Sequence, residues 1–218
     1  MFIVLLGGPG AGKGTASNVL CEKYDIPHIS TGDMLREEIA KESELGLEVK
    51  EILASGGLVS DNIVKRLIKN KLSSKSCEKG AILDGYPRTE KQAETLTEVM
   101  ESLGKKLDFA IEIDLPDEII VERVVNRRLC SNKKCGAIYN AKYNKPKVEG
   151  ICDNCGSELY QRPDDNEETI KHRLEVYHEE AEEILAYYKS IGLLTTVHLN
   201  GTEQPEDLIN KITDIIEK

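Results

Sequence analysis

No apolar run in this chain approaches the roughly 20 residues that a membrane-spanning helix needs, which argues against a helical membrane protein. There is no basic leader or cleavage site ahead of the first apolar segment, and a cytosolic protein is expected. Positive charge is scarce: 29 lysines and arginines face 39 acidic residues, a net charge of -10. Nucleic acid favours a basic face, so this balance argues against it and leaves positive charge only as local patches. Aromatics are 5% of residues and form no run on which bases could stack. Internal repeats and low-complexity tracts are also missing. What remains, with 39% hydrophobic and 31% charged residues over 218 positions, is a soluble globular chain able to bury one substantial core and carry insertions.

A missing hydroxyl is the most informative gap. The stretch "GGPGAGKGT", Gly7 to Thr15, keeps the Gly7, Gly12, Lys13 spacing of a phosphate-binding loop, G-x-x-x-x-G-K-[ST], but has Gly14 where the pattern has Ser or Thr. "MFIVLL" before it reads as one buried strand, and "TASNVLCEKY" after it as a helix. Glycines at a strand-to-helix turn let backbone N–H groups and the helix N-terminus approach anionic oxygens, and Lys13 adds a point charge for β- and γ-phosphates. In the common loop the hydroxyl after the lysine ligates Mg2+. Thr15 lies roughly 100° further round the helix, so the metal must be held mainly by something else.

Further strands are expected at "AILDGY" (81–86), "FAIEIDL" (109–115) and "LLTTVHL" (193–199), separated by sequence of helical period. That alternation predicts an α/β fold, a parallel sheet flanked by helices with ligands at the carboxyl ends of the strands. Two stretches break it and read as insertions at that face. From Ser30 to Lys75 come three helix-like segments, with Thr31 and Ser60-Asp61 as caps and Gly56-Gly57 as a stop. From Leu129 to Tyr160 there is no helical period but four cysteines.

"CSNKKC" (Cys130, Cys135) and "CDNCG" (Cys152, Cys155), with 16 residues between them, make two thiolate knuckles able to surround a tetrahedral Zn2+. A closed four-thiolate site has no open position for substrate, so the metal is assigned to folding a small insertion. Cys21 and Cys77 stand alone as ordinary core cysteines.

Only eight arginines occur, against 21 lysines. Arg123 and Arg127 are spaced i, i+4 and are expected to share a helix face just before the cysteine insertion, and Arg162 follows it. Arg173 returns to a similar angle as Arg162 if that segment is helical, Arg88 follows a strand, and Arg36 is in the first insertion. Guanidinium forks suit phosphate oxygens, and phosphoryl transfer needs mostly positioning and charge neutralisation. Asp84 ends a strand where a Mg2+-associated carboxylate belongs and would hold the ion through its waters, with Asp33 a second candidate.

Together these segments resemble the adenylate kinases, specifically the long-lid, zinc-containing bacterial type of this P-loop nucleoside monophosphate kinase family. "GGPGAGKGT" is similar to the family's nucleotide loop, "STGDMLR" and "GGLVSDNIV" to its monophosphate-binding segment, and "DGYPRTEKQ" to its D-G-[FY]-P-R-x-x-x-Q signature. "RRLC" and "LYQRPDDNEETIKHRL" look like the borders of the lid. The shifted threonine is thus a feature of the group. The resemblance implies a core of 1–29, 76–128 and 161–218, a monophosphate-binding insertion at 30–75 and a lid at 129–160. It implies ATP on Gly10, Ala11, Gly12, Lys13, Gly14 and Thr15, with Arg123, Arg127, Ile138, Tyr139 and the backbone of Glu203 nearby. It implies AMP on Thr31, Arg36, Gly57, Leu58, Val59, Gly85, Tyr86, Pro87, Arg88 and Gln92, with Arg162 and Arg173 at the transferring group. Gln92 is the specificity element, since a side-chain amide both donates to and accepts from an adenine edge. Asp164 and Asp165 either orient lid arginines or act as helix N-terminal charges. One departure is the first knuckle, C-x4-C, two residues wider than the family's usual form.

The expected chemistry is reversible in-line transfer of the γ-phosphoryl of Mg·ATP to AMP, giving two ADP, with both insertions closing over the substrates. Lys13, Arg88, Arg123, Arg162 and Arg173 would neutralise the moving group, and zinc would keep the lid rigid. Backbone freedom is expected at Gly7, Gly56, Gly57 and Gly104, and a monomer is expected. The alternatives are a kinase for UMP or CMP, or a zinc ribbon that binds nucleic acid or protein with a regulatory P-loop.

Overall fold

The computed structural model describes residues 1–218. Five parallel strands form the central sheet: β1 (Phe2–Leu6), β2 (His28–Ser30), β3 (Ala81–Asp84), β4 (Phe109–Asp114) and β8 (Leu194–His198), in the order β2-β3-β1-β4-β8. β1 is central and every residue of it is buried. Its side chains alternate between two cores, Phe2, Val4 and Leu6 on one face and Ile3 and Leu5 on the other.

Helices α2 (Thr31–Ala40), α3 (Glu44–Ser55), α4 (Asp61–Leu72) and α5 (Glu90–Ser102) contribute to the first core. Helices α1 (Lys13–Tyr24), α6 (Asp117–Val125) and α8 (Pro205–Ile216) contribute to the second. The 24-residue α7 (Glu167–Ser190) serves both, through Ile170 and Leu174 in the second core and Ile184 and Tyr188 in the first. Between α6 and α7 lies an antiparallel sheet of β5 (Arg127–Cys130), β6 (Ile138–Asn140) and β7 (Leu159–Tyr160), ordered β6-β5-β7. No helix is long and apolar enough to cross a membrane.

The expected strands at 81–86, 109–115 and 193–199 appear with trimmed ends. β2 was not expected. Its "HIS" has one apolar residue, and pairing makes it a strand: Ile29 sits opposite Leu83, and Ser30 opposite Asp84. The three insertion helices form where expected. Ser30, not Thr31, caps α2 by accepting from Asp33 N, and Gly56 ends α3 at φ 85°. Gly7, Gly56 and Gly104 take positive φ, whereas Gly57 does not.

Two geometric expectations fail. Arg123 and Arg127 do not share a helix face, because α6 ends at Val125 and Arg127 opens β5. Arg162 is not helical, because α7 begins only at Glu167, where the Asn166 side chain accepts from Thr169 N.

Candidate active site

The loop between β1 and α1 is shaped by its glycines. Gly7 has φ 131° and a Cβ there would lie 2.4 Å from Ile113 O; Gly10 has φ 91° and a Cβ there would lie 2.3 Å from Val124 Cγ2. Only glycine fits either place. Ala11 is fully buried in the second core, so its contribution to the loop is its backbone.

Lys13 opens α1 and curls back, its Nζ donating to Gly7 O at 2.7 Å and Gly8 O at 2.8 Å. Burial pushes its ammonium down to about 8; Asp84 opposes the shift, and Arg88, Arg173 and Arg127 assist it. Asp84, at the end of β3, has Oδ2 3.2 Å from His28 Nε2. Burial pushes this carboxyl up, but the His28 contact and the charges of Lys13 and Arg88 outweigh it and hold it below the usual range.

Six of the eight arginines, Arg36, Arg88, Arg123, Arg127, Arg162 and Arg173, line one cavity of about 1320 Å3 together with Lys13. Carboxylates hold four of them. Asp165, with its side chain fully buried, takes Arg127 in two bonds of 2.9 and 2.5 Å. Asp164 Oδ2 accepts from Arg173 Nη1 at 3.0 Å, and Asp33 Oδ1 accepts from Arg36 Nη2 and from Arg162 Nη2, each at 2.7 Å. Asp33 thereby bridges α2 to the segment after β7. Arg88 Nε donates to Gly85 O at 3.0 Å, and burial beside Arg173 pushes the Arg88 guanidinium down to about 10. Arg36 Nη1 and Arg162 Nε are buried donors with no protein acceptor, so each keeps a hydrogen bond to give.

Gly10, Gly12, Gly14, Thr15, Ile138, Tyr139 and Glu203 line the same cavity. The Glu203 carboxylate is held by its own loop, accepting from Asn200 N at 3.0 Å and Gly201 N at 3.0 Å. A second cavity, of about 30 Å3, adjoins through Gly85, Arg88 and Leu58, and its wall includes Thr31, Gly57, Val59, Tyr86 and Gln92 with the apolar Leu35, Leu53 and Val64. Pro87 lines the larger one. Thr31 Oγ1 donates to Gly85 O at 2.9 Å. Gln92 is buried, not an exposed helical residue: its Oε1 accepts from Arg88 N at 2.9 Å and its Nε2 donates to Asp61 Oδ1 at 2.7 Å.

The four lid cysteines place their sulfurs within 4.8 Å of one another, with Cys130 and Cys155 at 3.4 Å and Cys135 and Cys152 at 3.7 Å. A tetrahedron with metal–sulfur bonds of about 2.3 Å has edges of about 3.8 Å, so this donor set fits a Zn2+ ion. The wide first knuckle reaches the same arrangement by turning at Asn132, whose C=O accepts from Cys135 N and whose Oδ1 accepts from Lys134 N. Its extra length projects Lys133 toward α2, where Nζ meets Glu37 Oε1 at 3.0 Å. Sequence reading missed this contact, along with those of Asp61 and His28; all three link residues at least 31 positions apart.

A family model described as adenylate kinase matches residues 5–193. The chain is similar to an adenylate kinase of Caldicellulosiruptor bescii, 49% identical over 212 residues and 97% of each chain. It is similar to one of Archaeoglobus fulgidus, 48% identical over 218 residues, 100% of this chain and 99% of the relative. A third, of Clostridium botulinum, is 44% identical over 216 residues, 99% of this chain and 98% of the relative. A glycine loop, a converging set of arginines and a four-cysteine lid, carried on a sequence that matches these relatives end to end, place the chain in the adenylate kinase family.

Proposed function

We propose that this adenylate kinase moves the γ-phosphoryl of Mg·ATP to AMP by direct in-line displacement. An oxygen of the AMP phosphate forms the new P–O bond as the bond to the β–γ bridging oxygen breaks, and the two products are both ADP. One observation carries the reading: Lys13 and six arginines converge on a single cavity that joins the glycine loop to the Gln92 pocket.

The Gly10–Thr15 backbone and Lys13 hold the β- and γ-phosphates, and Arg123 and Arg127 bound the ATP side beside Ile138, Tyr139 and the Glu203 backbone. Thr31, Arg36, Gly57–Val59, Gly85–Arg88 and Gln92 hold AMP. Arg88, Arg162 and Arg173 face the moving group, where their charges offset the charge spread over its equatorial oxygens. The acceptor is already an anion, so no strong base is required. The carboxylates behind the arginines fix the guanidinium planes in advance, which lowers the cost of reorganisation during transfer.

Asp84 would hold Mg2+ through its water shell, and the ion would supply charge neutralisation between the β- and γ-phosphates. Asp33, the other carboxylate read from the sequence, is already shared by Arg36 and Arg162, which favours Asp84. A structural Zn2+ on Cys130, Cys135, Cys152 and Cys155 would give the lid its rigidity. Within the insertion (30–75) the part ahead of α4 moves on the remaining core while α4 stays packed on α5, the lid (129–160) is the second moving part, and the protein works as a monomer in the cytoplasm.

The test is incubation with Mg·ATP and each of AMP, GMP, CMP and UMP, followed by quantification of the diphosphates. Fast turnover with AMP alone is expected. Turnover confined to a pyrimidine monophosphate would overturn the acceptor assignment and leave the chemistry in place.

A further inference from the structure

We propose that Asp61 is a positioning residue for base selection: it locks the Gln92 amide so that the pocket accepts adenine and rejects a 6-oxopurine. The inference rests on the reading of Gln92 as the base contact. A glutamine amide can turn over and exchange its oxygen with its nitrogen at little intrinsic cost, so an unsupported Gln selects weakly between a base that donates at position 6 and one that accepts there. Here the two neighbours leave no choice. Arg88 N is a backbone donor and can only face oxygen, at 2.9 Å. The Asp61 carboxylate, when ionised, is an acceptor and can only face the NH2 group, at 2.7 Å.

Each contact uses half of the amide's capacity. One lone pair on Oε1 and one N–H on Nε2 remain for the cavity that Gln92 lines. Acceptor beside donor, in that order, is complementary to the 6-amino donor and N1 acceptor of adenine. Hypoxanthine presents the reverse, a 6-oxo acceptor and an N1–H donor. To bind it the amide would have to turn over, setting NH2 against Arg88 N–H and oxygen against the Asp61 carboxylate. Both contacts would then be repulsive, and a site built from unpaired polar groups discriminates strongly.

The backbone of the Asp61 end is also well placed to keep this lock while the pocket opens. A cavity of about 30 Å3 is smaller than a purine, so neighbouring segments must part to admit one. Helix α4, which Asp61 begins, packs on α5, which carries Gln92, and its Val64, Ile68 and Leu72 belong to the same core as Ala93 and Leu96 of α5. The opening therefore falls to the other walls of the pocket, α2, α3 and the 57–59 segment, leaving the Asp61–Gln92 pair intact.

The experiment compares kcat/KM for AMP and IMP, with Mg·ATP as donor, in the parent and in Asp61→Ala, Asp61→Asn and Gln92→Ala. The ratio of the two is the readout, because a loss of folded protein lowers both terms alike. Asp61→Ala should narrow the AMP preference about tenfold, the effect of removing roughly one discriminating contact. Asp61→Asn keeps the side-chain volume but can donate as well as accept; it should narrow the ratio in the same direction and stands in if the alanine variant does not fold. A ratio within about twofold of the parent's in the folded Asp61 variants, including a parallel fall of both rates, overturns the inference while Gln92→Ala still collapses it. A ratio unchanged in Gln92→Ala removes the base-contact reading itself, and the Asp61 inference with it.

Discussion

Lys133 and Glu37 form an ion pair of 3.0 Å that joins the cysteine lid to helix α2. The same loop is tied to α1, where Asn18 Nδ2 donates to Gly136 O at 2.9 Å. Lys133 lies within the wide first knuckle and Gly136 directly follows it, so the knuckle's extra length gives the lid the reach to α2 without disturbing its four sulfurs. An exposed pair of this kind contributes about 0.2–1 kcal/mol, enough to shift an opening equilibrium and little else.

Lys133→Ala should therefore open the lid more readily. If release limits turnover, kcat rises about twofold and KM rises with it, and the difference from the parent fades in about 1 M salt, where charges are screened within roughly 3 Å. Steady-state kinetics at low and high salt check this. A variant difference that persists at high salt would exclude the ion pair as its source.

Lys13 gives a pH signature. Burial pushes its ammonium down to about 8 from an ordinary 10.5. Between those values the unfolded chain binds a proton that the folded chain has released, so this group's contribution to stability rises with pH across the window; below about 8 its buried charge is a steady cost. Phosphate oxygens favour the charged form, so ATP binding at about pH 9 should take up protons, and affinity should fall as pH rises through about 8. Calorimetry in two buffers of different ionisation enthalpy measures the uptake. Its absence in the parent, or its persistence in Lys13→Met, counts against Lys13 as the group responsible.

Asp165 has a fully buried side chain and holds Arg127, itself 18% exposed, in two bonds. Asp165→Ala strands that guanidinium and should lower unfolding stability by about 2–3 kcal/mol, read from urea denaturation. A change below about 0.5 kcal/mol would mean that solvent already satisfies Arg127.

Removal of the metal should uncouple the lid from the rest. Among lid residues only Cys130, Tyr139 and Cys152 form a buried cluster, too few to hold a fold against chain entropy. Elemental analysis should find about one zinc per chain, and chelation should permit proteolysis within 129–160 while the core resists. Equal resistance with and without the ion would show that the lid stands unaided.

How far these features could be read in advance depended on the distance over which each is specified. β1, β3, β4 and β8 are local apolar runs, and the glycine loop is a contiguous motif, so both were legible. β2 was not, because "HIS" becomes a strand only through its partner β3. The arginines could be chosen as a set, since they fall at strand ends and insertion borders, yet their assumed helical registers were wrong for Arg127 and Arg162. Helix ends are decided by single residues, here Asn126 after α6 and Asn166 before α7. The burial of Gln92 and its two partners depends on how α4 meets α5, which no local pattern encodes.

The lid and the sheet also differ in what makes them durable. The two cores of the sheet rest on water's aversion to apolar surface, which weakens in the cold and gives stability a curved dependence on temperature. The cysteine cluster would rest on metal–sulfur bonds instead, with only a three-residue buried cluster beneath them. Substitutions that adapt the body of the enzyme to a warmer or colder setting can thus accumulate in the cores while the cysteine-bearing sheet keeps its own mechanics, and the climate of the protein becomes separable from its tempo.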